Sequence, residues 1–455
     1  FHNFIKSTED NVKSDPKKFW SYITSRKGST RIPGRMTYND RLLSTSRDIV
    51  NAFAEHFSGV FIPSNNSTND VDHVVTQPSR DDKSCDKACD DNCDKCCDLF
   101  PCCYVNVLHR FNITDCDILQ AAKKLKPNLT SGDDEIPAFL VRDCIGSLLT
   151  PLCHLYNAII STSTFPECWK IARVTPVFKS DAKDNVINYR PIAIIPNFAK
   201  IFQCILVMYV YSHLKQLIAT QQHGFISGRS TATNLCNFTQ KLSNSLDLKQ
   251  QVDVVYTDLS KAFDKVNHIL LLNKLAAMGL CEEVVQLFKS ILVGQKQYVQ
   301  YQNCKSYSYE CNTGVCQGSN MGPLLFTIFV NDVISVINNQ CDVYMYADDV
   351  KILKVISDEY DCFVLQSIMN KFFKWCLENK LDVNVNKCRI MSYSRKVNTI
   401  LFNYKINDQS LIRCTEFKDL GVVMDQSLSF TPHITHISEK AMRILGFIIR
   451  NTKDF

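Results

Sequence analysis

Two adjacent carboxylates, Asp348 and Asp349, interrupt the otherwise apolar and aromatic run "DVYMYADDVKIL" at 342–353. Charged side chains are almost never buried unless something meets their charge. The plain reading is a hairpin with the Asp-Asp pair at a solvated tip, because that dipeptide favours turns. A chemical reading needs a further carboxylate. One stands in "VDVVYTDLSKAFDKVNH", where a β-forming run leads directly into Asp258 with Leu259, Ala262 and Phe263 behind it. If the two strands lie side by side, three carboxylates share one site. Such groups repel one another and hold protons unless cations sit between them. Two Mg²⁺ ions, which bind a few carboxylates together with phosphate and water oxygens, would relieve the repulsion and serve in-line phosphoryl transfer to a 3′-hydroxyl.

The elements that must position these groups are mixed in type. Short β-prone runs at "ARVTPVF", "VDVVYTDL", "DVYMY", "KILKVI", "CRIMSYS" and "LGVVMD" are separated by helical stretches. That pattern is an α+β signature and not a regular βαβ repeat. Upstream, residues 1–75 read as a helical extension and linker: "DPKKFWSYIT" opens as a helix start at Asp15 and Pro16, and "SRDIVNAFAEHFSGVF" puts Ile49, Phe53 and Phe57 on one face. Thr114 and Asp117 are spaced as a capping box, and Ile118, Ala121, Ala122 and Leu125 recur at helical spacing behind them.

Length and composition set the frame. A chain of 455 residues is too long for one core and points to two or three domains or subdomains. With 45% hydrophobic and 21% charged residues it is an ordinary globular composition, and a net charge of +5 leans mildly toward polyanionic partners. No apolar run approaches the roughly 18 residues needed to span a bilayer. No secretory leader opens the chain, which predicts an intracellular protein with reduced thiols. Both ends read as cut from a longer polyprotein. Seven of the 22 cysteines crowd into Cys85 to Cys103, within a segment of 76–105 rich in Cys and Asp. Cys85, Cys89, Cys93 and Cys96 are conceivable zinc ligands, but the spacings are tight and no finger-length loop separates two CxxC knuckles. A compositionally biased insertion is the favoured reading.

The order of motifs resembles a reverse transcriptase of the non-LTR (LINE-type) retrotransposons, most like the jockey-type elements. It is carried by "TSGDDEIPAFLV", "FPECWKIARVTPVFKSDAKDNVINYRPIAIIPNFAKIF", "QHGFISGRSTATNL", "YTDLSKAFDKVNH", "GVCQGSNMGPLLFTIFVNDV", "YADD", "LDVNVNKCRIM" and "FKDLGVVMD" in sequence. The resemblance implies a right-hand polymerase. Fingers and palm would occupy 106–425 with a core at 160–425, the fingers running from about Leu129 to Val252, and 426–455 would begin a thumb. It also implies an RNA-directed DNA polymerase that takes an RNA template, a DNA primer and deoxynucleoside triphosphates with Mg²⁺, or Mn²⁺ in its place. An endonuclease domain would lie elsewhere in the full-length element, and the enzyme would act in the nucleus.

Residue by residue, the resemblance makes Asp258 and Asp349 the main metal ligands, with Asp348 in the same cluster. Phe263 falls at the aromatic position under the sugar that excludes a 2′-hydroxyl, and Gln317 and Gly318 fall where the incoming nucleotide and template are met. Arg190 and Lys179 fall at triphosphate contacts, where a guanidinium offers bidentate bonds that an ammonium lacks. Lys387 falls at the lysine that protonates the leaving pyrophosphate. Arg229 is open between a template-phosphate contact and a helix cap. The chain departs from the family's usual pattern at Cys316, where proline is common, at Asn320 and Met321, where Val-Leu is, and at Gln295, where arginine is. Asn320 is expected to face the helix interior. These departures and the Cys-rich segment keep a second reading open, an inactive retroelement remnant or nucleic-acid-binding scaffold. A telomere- or intron-type enzyme serving the host is a third.

Overall fold

The computed structural model describes residues 32–61, 107–337, 340–396 and 398–452. Two five-stranded sheets organise these residues, each mixed in direction. In the first, Gln251–Thr257 lies at the centre. It pairs antiparallel with Asp349–Ile356 on one side and with Arg389–Tyr393 on the other. Asp342–Tyr346 forms the outer edge beside Asp349–Ile356, and Ile412–Arg413 adds a short parallel strand beside Arg389–Tyr393. The α+β expectation holds at this level, and all six β-prone runs contain strands.

All of Gln251–Thr257 is buried, because both faces of the sheet are covered. Val252, Val254 and Tyr256 pack with Phe238, Leu242 and Leu246 of the helix Thr231–Asp247. Val255 and Ile352 join the opposite core, where the helix Glu359–Glu378 contributes Leu365, Ile368 and Phe372. The alternation is what a strand's two-residue period dictates. Asp253 is fully buried in this strand, and its carboxylate accepts hydrogen bonds from Gln251, Ser392 and Tyr404 at 2.6 to 2.9 Å. A buried charge is tolerable only with such a shell.

The second sheet orders Tyr189–Ile194, Ile171–Phe178, Lys296–Tyr301 and Cys304–Lys305, with Tyr309–Glu310 also paired to Lys296–Tyr301. The helix Asn197–Leu214 is buried along much of its length and packs against Asp115–Lys123, whose Thr114–Asp117 capping box forms as expected.

Of the expected helical extension at 1–75 the structure describes 32–61, and this stretch is not helical throughout. A hairpin of Met36–Tyr38 and Arg41–Leu43 precedes the helix Ser46–Ser58. Asn39 and Asp40 at its tip take φ of +48° and +60°, the left-handed pair that a two-residue turn demands and that Asn and Asp accept readily. Ile49, Phe53 and Phe57 do share the buried face. They pack on Val174, Tyr189 and Val299, so this segment is part of the second sheet's core. The proposed helix start at Asp15 and the Cys-rich segment lie outside the described residues. Among the described residues no helix is long and apolar enough to cross a membrane.

Candidate active site

The strand register answers the question posed by the Asp-Asp pair. Thr257 stands opposite Val350, and its hydroxyl donates to the Val350 carbonyl at 2.8 Å. Asp258, the next residue along one strand, therefore ends beside Asp349, which opens the other. Asp349 pairs back to Tyr346, so Ala347 and Asp348 form a two-residue turn, with Ala347 at φ +56°. The hairpin expected at the tip is present, and the carboxylates at that tip face a third one.

Their electrostatics show the crowding. Burial raises the Asp349 carboxyl, and Asp348, Asp419 and Asp258 add to the effect, pushing it up to about 6 although solvent reaches the side chain. Asp348 is raised by burial and by Asp258, while Arg190 and Lys179 oppose the rise. These two cations come from the paired strands of the second sheet, where Arg190 stands opposite Val177 and the Lys179 amide bonds the Asn188 carbonyl. Both side chains are exposed. The positive charges thus reach the carboxylate turn from the facing sheet.

Lys387 is brought in by the segment after the helix Glu359–Glu378. Leu259 bridges Val383, Asn384 N–H donates to the Asp258 carbonyl at 2.8 Å, and the Asp258 amide points at Cys388 Sγ at 3.4 Å. Lys387 Nζ then lies 3.6 Å from Asp258 Oδ2 and remains largely exposed.

Phe263 follows on a short 3₁₀ turn, Ala262–Lys265, with its ring stacked on buried Phe326 at 4.2 Å. The next residue, Asp264, accepts a hydrogen bond from Gln317 Nε2 at 3.0 Å. The two segments are stitched further by Thr313 donating to the Asp264 carbonyl and by Val315 N–H to the Phe263 carbonyl. Gln317 carbonyl accepts from Ala193 N–H at 2.8 Å. Gly318 has φ +110°, and a Cβ there would stand 2.6 Å from the Ala193 carbonyl oxygen, so no other residue fits.

Two departures from the family's pattern meet each other, as the Cys316 thiol lies 3.0 Å from Gln295 Oε1. Burial pushes that thiol up to about 11, which keeps it protonated and able to donate. Asn320 is corrected: it is exposed and donates to the Lys200 carbonyl instead of facing the helix interior. Arg229 donates to the carbonyls of Ala219 and Gln222, a backbone role.

Sequence reasoning passed over four residues that hold the turn. Gln222 Oε1 accepts from Ala347 N–H at 3.0 Å, and Asn234 Nδ2 donates to the Met345 carbonyl at 3.0 Å. Asn234 also accepts from Lys351, which pairs with Asp419 at 2.7 Å in the interior. Burial drives Lys351 down and Asp419 up, and their contact opposes both shifts. Lys351 had a legible signal, a charge inside a buried strand two residues past Asp349. Gln222 and Asn234 lie within the stretch "QHGFISGRSTATNL", where nothing singles either of them out.

Among the described residues no group of three His, Cys, Asp or Glu side chains is already gathered into a metal cage. The donor chemistry of Asp258, Asp348 and Asp349 still fits a hard dication, because burial first and the neighbouring carboxylates next raise Asp348 and Asp349, and a cation would relieve both.

A family model described as reverse transcriptase (RNA-dependent DNA polymerase) matches residues 179–449, and every residue of this site lies within that span. The chain belongs to the reverse transcriptase family. Among its relatives are the RNA-directed DNA polymerase from mobile element jockey of Drosophila funebris, 27% identical over 70% of this chain, and a probable RNA-directed DNA polymerase from transposon X-element of Drosophila melanogaster, 26% identical over 71%. A Pol polyprotein from the type-1 retrotransposable element R1 of Bradysia coprophila is 21% identical over 73%. The matched stretch spans 36% of the jockey and X-element proteins. The relatives named here are thus proteins of mobile elements, to which this chain is similar over about seven tenths of its own length.

Proposed function

We propose that this chain extends a DNA primer on an RNA template, using deoxynucleoside triphosphates and two Mg²⁺ ions. The observation that carries the reading is the register of Thr257 on Val350, which sets Asp258 against the Asp348–Asp349 turn with Arg190 and Lys179 in the field of Asp348. On this reading the first sheet is the palm and the second belongs to the fingers of a right hand. The helix Thr431–Asn451 begins the thumb.

Asp258, Asp348 and Asp349 would hold the metal ions, which when bound supply an activated 3′-hydroxyl and neutralise charge on the leaving pyrophosphate. Arg190 and Lys179 orient the triphosphate from the opposite sheet. Lys387, beside Asp258 and open to solvent, is placed to give a proton to the pyrophosphate. Gln317 and Gly318 present a close, rigid surface to the nascent base pair, and Phe263 lies under the sugar. An endonuclease and the choice of target belong to the parts of such elements beyond this stretch.

The test is primer extension on an RNA template with Mg²⁺ and deoxynucleotides. The unsubstituted chain should extend, and Asp349→Asn should lose at least a hundredfold in rate while keeping primer–template binding. Binding by both with extension by neither would favour the scaffold reading.

A further inference from the structure

The segment "QHGF" runs behind the Asp348–Asp349 turn and is built against it. Met345 N–H donates to the Gln221 carbonyl at 3.1 Å, and His223 N–H donates to the Met345 carbonyl at 2.9 Å. Gln222, 1% exposed, receives both the Ala347 and the Gly224 N–H on one amide oxygen. A Cβ on Gly224 would lie 2.3 Å from the Ala347 nitrogen, so the two backbones touch. The residue delivered next is Phe225. Its backbone takes φ +62°, a costly conformation for a bulky side chain, and the residue is 49% exposed. Either feature alone is ordinary at a surface. Together, on a segment clamped this firmly, they need a use for the ring.

Among the described residues the ring has one aromatic partner, Phe263, at 5.9 Å with the planes at 85°. Phe263 is otherwise fixed by Phe326, stacked at 14° and fully buried. Phe263 is therefore held between an immovable core ring and an exposed ring carried by the segment that clamps the catalytic turn.

We propose that Phe225 is a positioning residue for sugar discrimination: its ring braces Phe263 at the tilt that excludes a ribonucleotide 2′-hydroxyl. The proposal rests on the reading of Phe263 given above. Perpendicular aromatic pairs supply enough energy to change a selectivity ratio by several-fold.

The experiment measures single-nucleotide incorporation of each deoxynucleotide and its ribonucleotide on one primer–template, as the ratio of kcat/KM values. Four proteins are compared: the unsubstituted chain, Phe263→Ala, Phe225→Ala and Phe225→Tyr. Phe263→Ala should raise the ribonucleotide ratio strongly. Phe225→Ala should raise it about three- to tenfold, and Phe225→Tyr, which keeps the ring, should restore it. A relaxed Phe263→Ala beside an unchanged Phe225→Ala overturns the proposal alone. An unchanged Phe263→Ala overturns the reading of Phe263 and the proposal with it. If Phe225→Ala is too poorly folded to score, Phe225→Leu replaces it, and an unchanged ratio there is equally fatal. Where primer–template is bound but not extended, the same ratio is read from equilibrium binding of the two nucleotides in Ca²⁺, and no preference for the deoxy sugar in the unsubstituted chain overturns both.

Discussion

At the scale of the residue, the site depends on polar side chains that hold other side chains. Asp264 is the clearest case. Burial pushes it up to about 6, the Gln317 amide and Lys261 oppose the rise, and the folded chain therefore holds its proton more tightly than the unfolded chain, where an aspartate titrates near 3.9. With the folded value above the unfolded one, stability from this group is fullest below about pH 4 and declines until about pH 6, beyond which it is level. Asp264→Asn keeps a carbonyl for Gln317 and removes the titration. Its stability relative to the unsubstituted chain should rise across that window and level off on the order of 2 kcal/mol higher, as read from urea midpoints between pH 4 and 8. A difference that does not change with pH would refute the assignment. Asp258 and the Asp348–Asp349 pair were legible in the sequence because carboxylates in apolar strands contradict their surroundings. Asp264 was not, because a lone aspartate after a phenylalanine looks like a turn residue until Gln317, far along the chain, is seen to meet it.

At the scale of the element, the hairpin of Asp342–Tyr346 and Asp349–Ile356 is held from two directions. The segment at Gln221–Gly224 grips its backbone, and the pair Lys351–Asp419 pins its inner strand to the small hairpin Glu416–Asp425. Lys351 also lies 4.6 Å over the Phe238 ring, so its charge is met on several sides. Buried pairs contribute little net stability against apolar replacements, yet breaking one strands a charge. Asp419→Leu should cost about 3–5 kcal/mol, and the double substitution Lys351→Met with Asp419→Leu should recover most of it, as measured by chemical denaturation. Equal losses in the single and double variants would show that the pair is not what connects the two hairpins. The strands themselves were readable from β-branched runs and their register was not, since either neighbour of Gln251–Thr257 satisfies the same apolar pattern. The hairpin at 36–43 was missed because three-residue strands leave too little alternation to detect beside a strongly amphipathic helix.

At the scale of the whole molecule, the candidate site draws on both sheets, with the carboxylates and Lys387 on the side of one and Arg190 and Lys179 on the side of the other. The segment at 46–58 joins the second sheet's core, so its loss should disturb the strands that carry Arg190 and Lys179. The Cys-rich stretch is expected to be an insertion by contrast. Deleting residues 80–103 should leave the melting temperature and primer extension unchanged within about twofold. A collapse of solubility with the loss of one bound zinc per chain would reverse that view.

The central place of Gln251–Thr257 also has a cost in time. Thr257 waits for a partner 93 positions later, and the other edge of its strand is closed only by Arg389–Tyr393. At translation speeds of roughly 5–20 residues per second, a strand that the fold buries throughout stands open on the nascent chain for roughly five to thirty seconds. Pairings this distant are slow to form and prone to capture by other chains. Holding that strand apart during synthesis is thus a demand on the cell's chaperones, and chains interrupted before Asp348 carry Asp258 without the carboxylates that would give it a task.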